Sequence, residues 1–541
     1  MSAPPPPRAA GAWHPGSLSP VFEPVAIASA LAQVREPVHV VLDPRTSQVG
    51  LALGGEIRAH AADPSDLPLL ASLPPSYPEW LGDRSFGEVH GVRFPYVAGE
   101  MANGIATVEL VEAMASAGML GFFGAAGLGH DRVAGAVDRM SREIKADRAW
   151  GVNLIHSPAE PELEERVADL LVAKNVLRVS ASAFMALTPS VVRCSAAGLS
   201  VDPSGNIRRK HQVFAKISRA EVAAQFMSPP PAEMLRALVA EGRITHGEAE
   251  LAARLPVAED VTVEADSGGH TDNQSLVALF PAILALRDEI TARHRYARAI
   301  RVGAAGGLGT PGAVAAAFSL GAAYVVTGTV NQSAVEAGVS PEAKKMLAEA
   351  QIADVAMAAA ADMFELGVKL QVLKRGTMFA ARANGLYEIY RAYDNLEALP
   401  PDVRTRVESK LIGASIDAVW RETEAFWRLR EPGQIERALA EPRHKMALVF
   451  RWYLGKSSRW AIEGDPTRRA DYQLWCGPAM GAFNAWVRGS FLEAPAERTA
   501  VQIALNLLEG AVVLARAQEL RACGVAVPAT ALTFRPRRLR L

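Results

Sequence analysis

The chain has 541 residues, and at roughly 100–200 residues per domain this length predicts two or three domains. Its residues are 50% apolar and 21% charged, which is typical of a globular protein with a sizeable core. Its 57 basic and 58 acidic side chains give a net charge of −1, which argues against a nucleic-acid partner and against a polybasic membrane surface. Three cysteines without a CxxC spacing exclude a disulfide scaffold, and no metal site is predicted. There is no secretory signal pattern, and no uninterrupted apolar run approaches the roughly 18 residues of a membrane span. We therefore expect a cytoplasmic enzyme without a membrane segment.

The amino-terminal part divides into two predicted segments. Residues 1–20 are rich in proline, alanine and glycine, a composition typical of disordered chain. Residues 38–53 contain two β-branched runs around a Pro-Arg-Thr-Ser turn, which predicts a β-hairpin. We assign residues 21–90 to a small β subdomain.

Residues 91–345 show short apolar strands that alternate with alanine-rich helices. Nearly continuous apolar strands separated by helices indicate a parallel sheet covered on both faces, and eight of them favour a (β/α)₈ TIM barrel, an α/β fold. The predicted strands are FPYVAG (94–99), LGFFGA (120–125), WGVNLI (150–155), LRVSAS (177–182), QVFAKI (212–217), VTVEAD (261–266), IRVGAA (300–305) and YVVTGT (324–329).

Residues 346–541 are predicted to form a helical subdomain that covers the barrel as a lid. Residues 351–367 and 501–520 both have the apolar periodicity of a helix. Six of the nine tryptophans fall between residues 420 and 486. We interpret them first as the core of this subdomain, because aromatic side chains supply the largest buried area. A partner-docking surface is the alternative.

A glycine-rich stretch at 303–330 predicts a phosphate site. Gly306 and Gly307 allow close approach of a ligand to the backbone, and Thr310-Pro311 fits the start of a helix, whose free N–H groups favour an anion. Gly328-Thr329 would supply the second half, as in barrels where two consecutive loops share one phosphate. The same stretch matches GxGxxG, but the acidic residue that a dinucleotide site needs about 20 positions later is missing. Tight helix–strand packing by small residues is the structural alternative.

Three polar residues stand at or near the predicted strand ends. His270 follows Gly268-Gly269 just beyond the strand 261–266, where catalytic groups of parallel barrels lie, and a histidine can exchange protons near neutrality. Lys216 lies between apolar neighbours, so it needs an acidic partner or a ligand anion. Asn153 could bind a ligand or satisfy the neighbouring backbone.

Several longer motifs resemble the PfaD family, which comprises trans-acting flavin enoyl reductases of polyunsaturated fatty acid and trans-acyltransferase polyketide synthases. This family belongs to the nitronate monooxygenase and FabK-type flavoprotein superfamily. The resemblance covers almost the whole chain after about residue 35. It rests on VAGEMANGIATVELVEAMASAGMLGFFGAAGL, EADSGGHTDN, GGLGTPGAVAAAFSLGAAYVVTGTVNQ, VKLQVLKRGTMFAARANGLYEIYRAYDNL, HKMALVFRWYLGKSSRW and DYQLWCGPAMGAFNAWV.

The resemblance implies a barrel that binds FMN, with His270 in the position of the superfamily's catalytic histidine. Glu100 departs from the family pattern, in which a small residue is expected, and an acid beside the flavin would disfavour an anionic reduced flavin. We therefore expect either that Glu100 points away from the flavin or that the strand 94–99 is slightly misplaced. The residues implied in cofactor binding are Gly99, Met101, Asn103, Asn153, Lys216, Asp266, Gly268 and Gly269 near the ring, and Gly306, Gly307, Gly328 and Thr329 at the phosphate.

The function implied by the resemblance is reduction of an enoyl thioester carried by an acyl carrier protein, with NADPH as the reductant. The alternatives are a nitronate monooxygenase and a non-catalytic flavin-bound component of a synthase. An inosinate-type dehydrogenase with Cys194 as nucleophile is disfavoured, since a buried structural cysteine is the default. The basic residues of 443–469 are interpreted as a solvated face or, alternatively, as a docking surface for an acidic carrier protein. A homodimer is one option for the oligomeric state.

Overall fold

The computed structural model describes residues 9–158 and 160–541. The amino-terminal part forms a five-stranded sheet in the order β3-β2-β5-β1-β4. The predicted hairpin is confirmed, because β2 and β3 pair antiparallel from Val38 opposite Leu53 to Asp43 opposite Gln48. The prediction of disorder over residues 1–20 is wrong for Gly11–His14, which form a strand of this sheet, and residues 1–8 lie outside the described residues. The strands are β1 (Gly11–His14), β2 (Val38–Asp43), β3 (Gln48–Leu53), β4 (Glu56–Arg58) and β5 (Leu67–Leu73).

A closed barrel of eight parallel strands forms the centre of the molecule, and all eight predicted strands are present in it. Around the barrel the order is β6-β7-β8-β9-β12-β13-β15-β16, and β16 pairs with β6 to close it. The α/β barrel fold is therefore confirmed. The strands of this region are β6 (Tyr96–Ala98), β7 (Leu120–Phe123), β8 (Gly151–Ile155), β9 (Arg178–Ser182), the hairpin of β10 (Ser200–Val201) and β11 (Ile207–Arg208), β12 (Gln212–Ile217), β13 (Asp260–Glu264), the two-residue β14 (Gly269–His270), β15 (Arg301–Ala305) and β16 (Val325–Thr327).

Helices cover the outside of the barrel. The start of α11 agrees with the prediction, because the Thr310 hydroxyl accepts a hydrogen bond from the Ala313 N–H at 3.3 Å and Pro311 occupies the first turn. The helices up to residue 332 are α1 (Pro24–Leu31), α2 (Arg84–His90), α3 (Val108–Ser116), α4 (His130–Glu143), α5 (Pro161–Ala173), α6 (Pro189–Ala196), α7 (Ala220–Met227), α8 (Ala232–Ala240), α9 (His246–Ala252), α10 (Leu276–His294), α11 (Pro311–Ser319) and α12 (Thr329–Gln332), with a 3₁₀ turn at Pro78–Trp80.

The carboxy-terminal region contains a small sheet that the sequence did not indicate. The apolar periodicity of residues 351–367 predicts a helix, but β17 (Val355–Ala359) pairs antiparallel with β18 (Lys369–Leu373). In turn β18 pairs with β14, so the loop after β13 is joined to this sheet. The prediction fails because an alanine-rich segment has apolar residues at both helical and strand spacings.

The helices after residue 340 belong to two different cores. Helices α14, α15, α16 and α18 share one core, which contains Phe364, Leu386 and Phe450, and α17 packs on α16 and α18 in a small separate cluster. Helices α19 and α20 instead contribute Phe483 and Ile503 to the core of the barrel. The helices are α13 (Pro341–Ala348), α14 (Phe379–Ala392), α15 (Pro401–Arg406) with a π-helical continuation at Val407–Ile412, α16 (Ile416–Arg430), α17 (Gly433–Ala440), α18 (Pro442–Glu463), α19 (Pro478–Val487) and α20 (Ala500–Ala522), with 3₁₀ turns at Pro466–Asp471, Phe491–Glu493, Pro495–Glu497 and Ala529–Leu532.

Helix α20 connects the barrel to the amino-terminal sheet. Its Leu520 packs with Leu31 and Val40, and Arg35 Nη1 donates to Glu509 Oε1 at 2.8 Å. This helix is long and apolar enough to cross a membrane, but 78% of its most apolar window is buried inside the fold. We therefore describe α20 as a core helix.

Candidate functional site

A cavity of about 1470 Å³ lies between the carboxyl ends of the barrel strands and the region that contains β17, β18, α16 and α18. The carboxyl ends of parallel barrel strands are where active sites form in this fold. The structure brings twelve of the thirteen predicted site residues to its wall: Gly99, Met101, Asn103, Asn153, Lys216, Gly268, Gly269, His270, Gly306, Gly307, Gly328 and Thr329.

Asp266 is the predicted residue that does not line this cavity. Its Oδ1 accepts hydrogen bonds from Gln371 Nε2 at 2.6 Å and from Asn273 Nδ2 at 3.1 Å. Gln371 belongs to β18 and also donates to the Ser267 carbonyl at 2.7 Å. Asp266 therefore fastens the loop after β13 to the carboxy-terminal sheet instead of contacting a ligand.

The glycine residues form an open cradle at one side of the cavity. Gly306 and Gly307 both have positive φ, +89° and +72°, which favours glycine. A Cβ at Gly306 would lie 2.7 Å from the Ala265 carbonyl carbon, whereas Cβ atoms at Gly307 and Gly328 would meet nothing within 4 Å. Space is thus free against the backbone at both predicted halves of the phosphate site, next to the first turn of α11.

Two buried amide groups at the cavity wall have unused hydrogen-bonding atoms. Asn153 Nδ2 donates to the Ser180 carbonyl at 2.9 Å and to Ser182 Oγ at 2.8 Å, but among the described residues its Oδ1 has no partner. Gln332 Nε2 is buried and lacks a partner within the same part of the chain. Since an unpaired buried polar atom is costly, these atoms fit a polar ligand edge. Together with the glycine cradle, they fit a group that has both a phosphate and a heteroaromatic ring.

Lys216 is held between two carboxylates at the barrel end. Its Nζ lies 3.1 Å from Glu100 Oε1 and 3.4 Å from Glu264 Oε1, and Ser180 Oγ donates to Glu100 Oε2 at 3.0 Å. Burial lowers the pKa of Lys216, but the two carboxylates outweigh burial and the net pKa is raised. Burial raises the pKa of Glu264, which Lys216 offsets only in part. The expectation that Glu100 points away, or that its strand is misplaced, is wrong, because β6 is present and Glu100 lines the cavity just after it. Its carboxylate is instead paired with Lys216.

His270 contacts a residue from the opposite wall. Its Nε2 lies 3.1 Å from Asp362 Oδ1, and 31% of its side chain is exposed to the cavity. Burial lowers the pKa of His270, but Asp362 outweighs burial, and the net pKa is raised above its usual value of 6.5. No sequence pattern indicates Asp362, because this contact joins residues 92 positions apart.

Some of the tryptophans and basic residues of the carboxy-terminal region line the cavity, whereas Arg443, Lys445, Arg468 and Arg469 do not. Trp427, Trp452 and Trp475 line it. Of the seven basic residues of 443–469, interpreted as a solvated face or alternatively as a docking surface, Arg451 has no ion pair within the described chain and lies over the Trp427 ring at 5.5 Å. The other six each pair with an acidic residue: Arg443 with Asp394, Lys445 with Glu397, Lys456 with Glu422, Arg459 with Glu463, Arg468 with Asp471 and Arg469 with Glu342.

Cys194 does not belong to the site. It lies in α6, fully buried, and burial raises the pKa of its thiol to about 12. A nucleophilic cysteine needs accessibility and a lowered pKa. The interpretation of Cys194 as a structural residue agrees with this environment.

A family model for nitronate monooxygenase matches residues 85–387, which is more than half of the chain and contains every barrel strand. The chain belongs to the nitronate monooxygenase family. Members of this family are flavin-dependent oxidoreductases, and the glycine cradle and the unused amide atoms fit such a cofactor. A second model, that of the inserted helical domain of [acyl-carrier-protein] S-malonyltransferase, matches residues 393–472.

Within the nitronate monooxygenase family, three relatives support the resemblance to the PfaD group. The chain is 45% identical over 498 residues to a polyunsaturated fatty acid synthase protein of Thraustochytrium sp. and 44% identical over 436 residues to polyketide biosynthesis protein PksE of Bacillus subtilis, matches that cover 91% and 81% of the chain. It spans only 32% and 56% of the length of these two relatives. The crystal structure of the enoyl reductase domain of MlnA from Bacillus amyloliquefaciens superposes with a TM-score of 0.78 at 36% identity, covering 82% of this chain and 99% of that domain.

Proposed function

We propose that the protein is an FMN-dependent, trans-acting enoyl reductase that reduces the α,β-double bond of an enoyl thioester on an acyl carrier protein, with NADPH as the reductant. The main support for this proposal is the similarity to the MlnA enoyl reductase domain. The two chains are 36% identical, and the match covers 99% of that domain. The proposed setting is polyketide or polyunsaturated fatty acid synthesis in the cytoplasm, without a nucleic-acid or membrane partner.

In this proposal the chain holds FMN at the barrel end. Gly306-Gly307 and Gly328-Thr329 take the phosphate, because their backbone borders free space beside the first turn of α11. Gly99, Met101 and Asn103 lie along the ring, and the Asn153 Oδ1 atom has a hydrogen bond to accept from it. A single phosphate site without a ribose-binding acid favours FMN over FAD.

When bound, the flavin supplies hydride transfer from NADPH to the β-carbon of the substrate. The task of the chain is then to place the thioester and to provide the proton that the α-carbon takes up. His270 is the proposed proton donor, because it lines the cavity and its raised pKa favours the protonated form near neutrality. The Lys216 ammonium, between Glu100 and Glu264, supplies a fixed positive charge at the barrel end.

The rim of the cavity suits a long acyl chain. Met185, Leu366 and Phe426 line the cavity while 53%, 69% and 49% exposed. Exposed apolar side chains around a cleft are typical of a binding site for an apolar ligand or partner. Here they would contact the acyl and pantetheine part that a carrier protein delivers.

The test is a pair of anaerobic half-reactions followed by flavin absorbance. NADPH should bleach the yellow protein faster than NADH does. Crotonyl-carrier protein should then restore the colour. Extraction and chromatography of the flavin should give FMN. Failure of crotonyl-carrier protein to reoxidise the reduced protein would exclude the reductase.

Nitronate monooxygenase activity is the second candidate, supported by the family match over residues 85–387. Under this alternative, anaerobic propyl nitronate should bleach the oxidised protein and O₂ should restore the colour, while the enoyl thioester has no effect. A non-catalytic flavin-bound component would respond to neither substrate.

A further inference from the structure

The contact between His270 and Asp362 joins the barrel end to the carboxy-terminal sheet. His270 stands on β14, after the barrel strand β13, and Asp362 stands on the connection between β17 and β18. The Nε2 to Oδ1 distance is 3.1 Å, which is hydrogen-bond distance, and both residues line the cavity.

The backbone fixes both members of this pair. Gly269 and His270 pair antiparallel with Gln371 and Leu370 of β18. The Gln371 amide adds its two bonds to Asp266 and to the Ser267 carbonyl. Asp362 Oδ1 also accepts a hydrogen bond from the Met363 N–H at 3.1 Å. The backbone of His270 is therefore held by strand pairing, and Asp362 cannot turn away from His270 without losing its hydrogen bond from Met363.

The pair leaves one ring nitrogen of His270 available. Nε2 is occupied by Asp362, while no partner for Nδ1 occurs within residues 9–158 and 160–541. A carboxylate that binds one imidazole nitrogen fixes the ring orientation and the tautomer, and so decides which nitrogen exchanges a proton with substrate.

We propose that Asp362 is the positioning residue of His270: its carboxylate holds the Nε2 proton, orients the ring, and leaves Nδ1 to give a proton to the substrate α-carbon. The proton-donor part of this inference rests on the proposed function, whereas the pairing does not. In this proton transfer, the Nδ1–H bond of His270 breaks and a C–H bond forms at the substrate α-carbon. The neutral imidazole then recovers its proton from solvent.

The charges around His270 favour its protonated form. Asp362 faces it from the β17–β18 connection, Glu264 from the end of β13, and Lys216 from β12, while Arg451 of α18 acts on Asp362. Burial lowers the pKa of His270, but Asp362 and Glu264 raise it by more than burial and Lys216 lower it. Removal of the Asp362 charge should therefore lower the pKa of His270.

The chain offers a matched control for this experiment. Glu365 stands three positions after Asp362 and makes a histidine–carboxylate contact of 3.0 Å with His444 Nδ1. Neither Glu365 nor His444 lines the cavity. Glu365→Gln thus removes a charge from the same segment and the same kind of pair, but away from His270.

The first measurement is the NMR titration of histidine in the flavin-bound protein, with the His270 resonance assigned by its absence in His270→Ala. Asp362→Asn should lower the His270 titration midpoint by roughly 1–2 pH units, the usual effect of losing an adjacent opposite charge. Glu365→Gln should leave it in place. Asp362→Ser, a smaller side chain, gives the same test if the Asn variant does not fold. An unchanged midpoint in the folded variant overturns the pairing.

The second measurement is the pH dependence of reoxidation of the reduced protein by crotonyl-carrier protein. The rate should fall as pH rises through the His270 midpoint, and Asp362→Asn should move this fall to lower pH while flavin content and NADPH reduction stay unchanged. Asp362→Glu keeps the carboxylate, so its rate profile should lie between those of Asp362→Asn and the wild type. A wild-type protein that the thioester does not reoxidise excludes the reductase function, and the titration still decides the pairing. A shifted titration with an unshifted rate profile overturns His270 as the proton donor.

Discussion

Strand β13 separates two histidine–aspartate pairs with opposite properties. At its start, Asp260 binds His90 Nε2 at 3.0 Å, and both side chains are completely buried. Beyond its end, His270 binds Asp362 at 3.1 Å with 31% of the imidazole exposed. Burial lowers the pKa of His90. Asp260 raises it and Arg301 lowers it, and the net pKa of His90 is lowered. The pKa of His270 is raised instead.

The difference comes first from burial, which is complete for His90 and partial for His270, and then from what else binds each carboxylate. Arg301 donates to both oxygens of Asp260, at 2.6 and 2.7 Å. The Arg301 charge therefore already balances the negative charge of Asp260 without a charge on His90. No cation forms an ion pair with Asp362 other than His270, within the part of the chain that the structure describes. The same two residue types therefore accompany a lowered pKa for the buried histidine at one end of the barrel and a raised pKa for the partly exposed histidine at the other.

The largest effect on chemistry is expected at the exposed pair. His270→Ala should reduce reoxidation by enoyl thioester by about 10²–10⁴-fold, the usual worth of general acid catalysis. Flavin content, the NADPH half-reaction and the melting temperature should change little, because the side chain is partly exposed. Rapid mixing of the reduced protein with crotonyl-carrier protein measures the loss. A rate within a few-fold of wild type would show that the proton comes from elsewhere.

The buried pair should affect stability instead. Asp260→Asn should lower the free energy of unfolding by about 3–5 kcal/mol, because it leaves the Arg301 charge buried without its partner. Denaturant unfolding measures this, and the reoxidation rate per folded molecule should stay near wild type. Asp138→Asn, which removes the exposed partner of Lys174, should cost at most about 1 kcal/mol. Equal losses for both variants would contradict the distinction between the buried network and a surface pair.

The glycine cradle should respond to charge more than to shape. Gly307→Asp should weaken flavin binding at least tenfold and yield a flavin-poor but folded protein, because a carboxylate would face the phosphate. Gly307→Asn has nearly the same shape without the charge, and both residues tolerate the positive φ of this position. Flavin content after purification and the dissociation constant for added FMN provide the comparison. Full occupancy in the Asp variant would remove the phosphate assignment.

The smallest effect concerns the carrier-docking hypothesis. Arg459 lines the cavity, its side chain is 69% exposed, and it pairs with Glu463 one turn away. Arg459→Glu should raise KM for enoyl-carrier protein a few-fold, less at high salt, and leave a short free thioester unaffected. Arg428→Glu is the control, since Arg428 has a similar pair with Glu424 but does not line the cavity. Equal effects of both variants, or on both substrates, would contradict docking at the cavity rim.

The eight barrel strands could be predicted because each is a short local run of apolar residues between helices. The glycine loop and His270 could be placed for the same reason, since strand ends in a parallel barrel share one face. The partners of these residues could not be predicted. Glu100 and Lys216 meet across the barrel end, and Asp362 approaches from a segment whose alanine-rich pattern indicated a helix. Sequence periodicity contains no information on such long-range pairs.

The pairing of β14 with β18 also separates two stages in the synthesis of the chain. All eight barrel strands have been made once residue 327 is translated. Lys216 and the first half of the glycine cradle, Gly306-Gly307, have been made by then as well. At that point β18 has not been made, so the His270 loop lacks the strand that pairs with it. The isolated bridge between Val372 and Trp475 adds a still later contact to the same sheet. The residues that pair with and orient His270 are therefore synthesised after every barrel strand, so the geometry of the His270 loop depends on the later part of the chain.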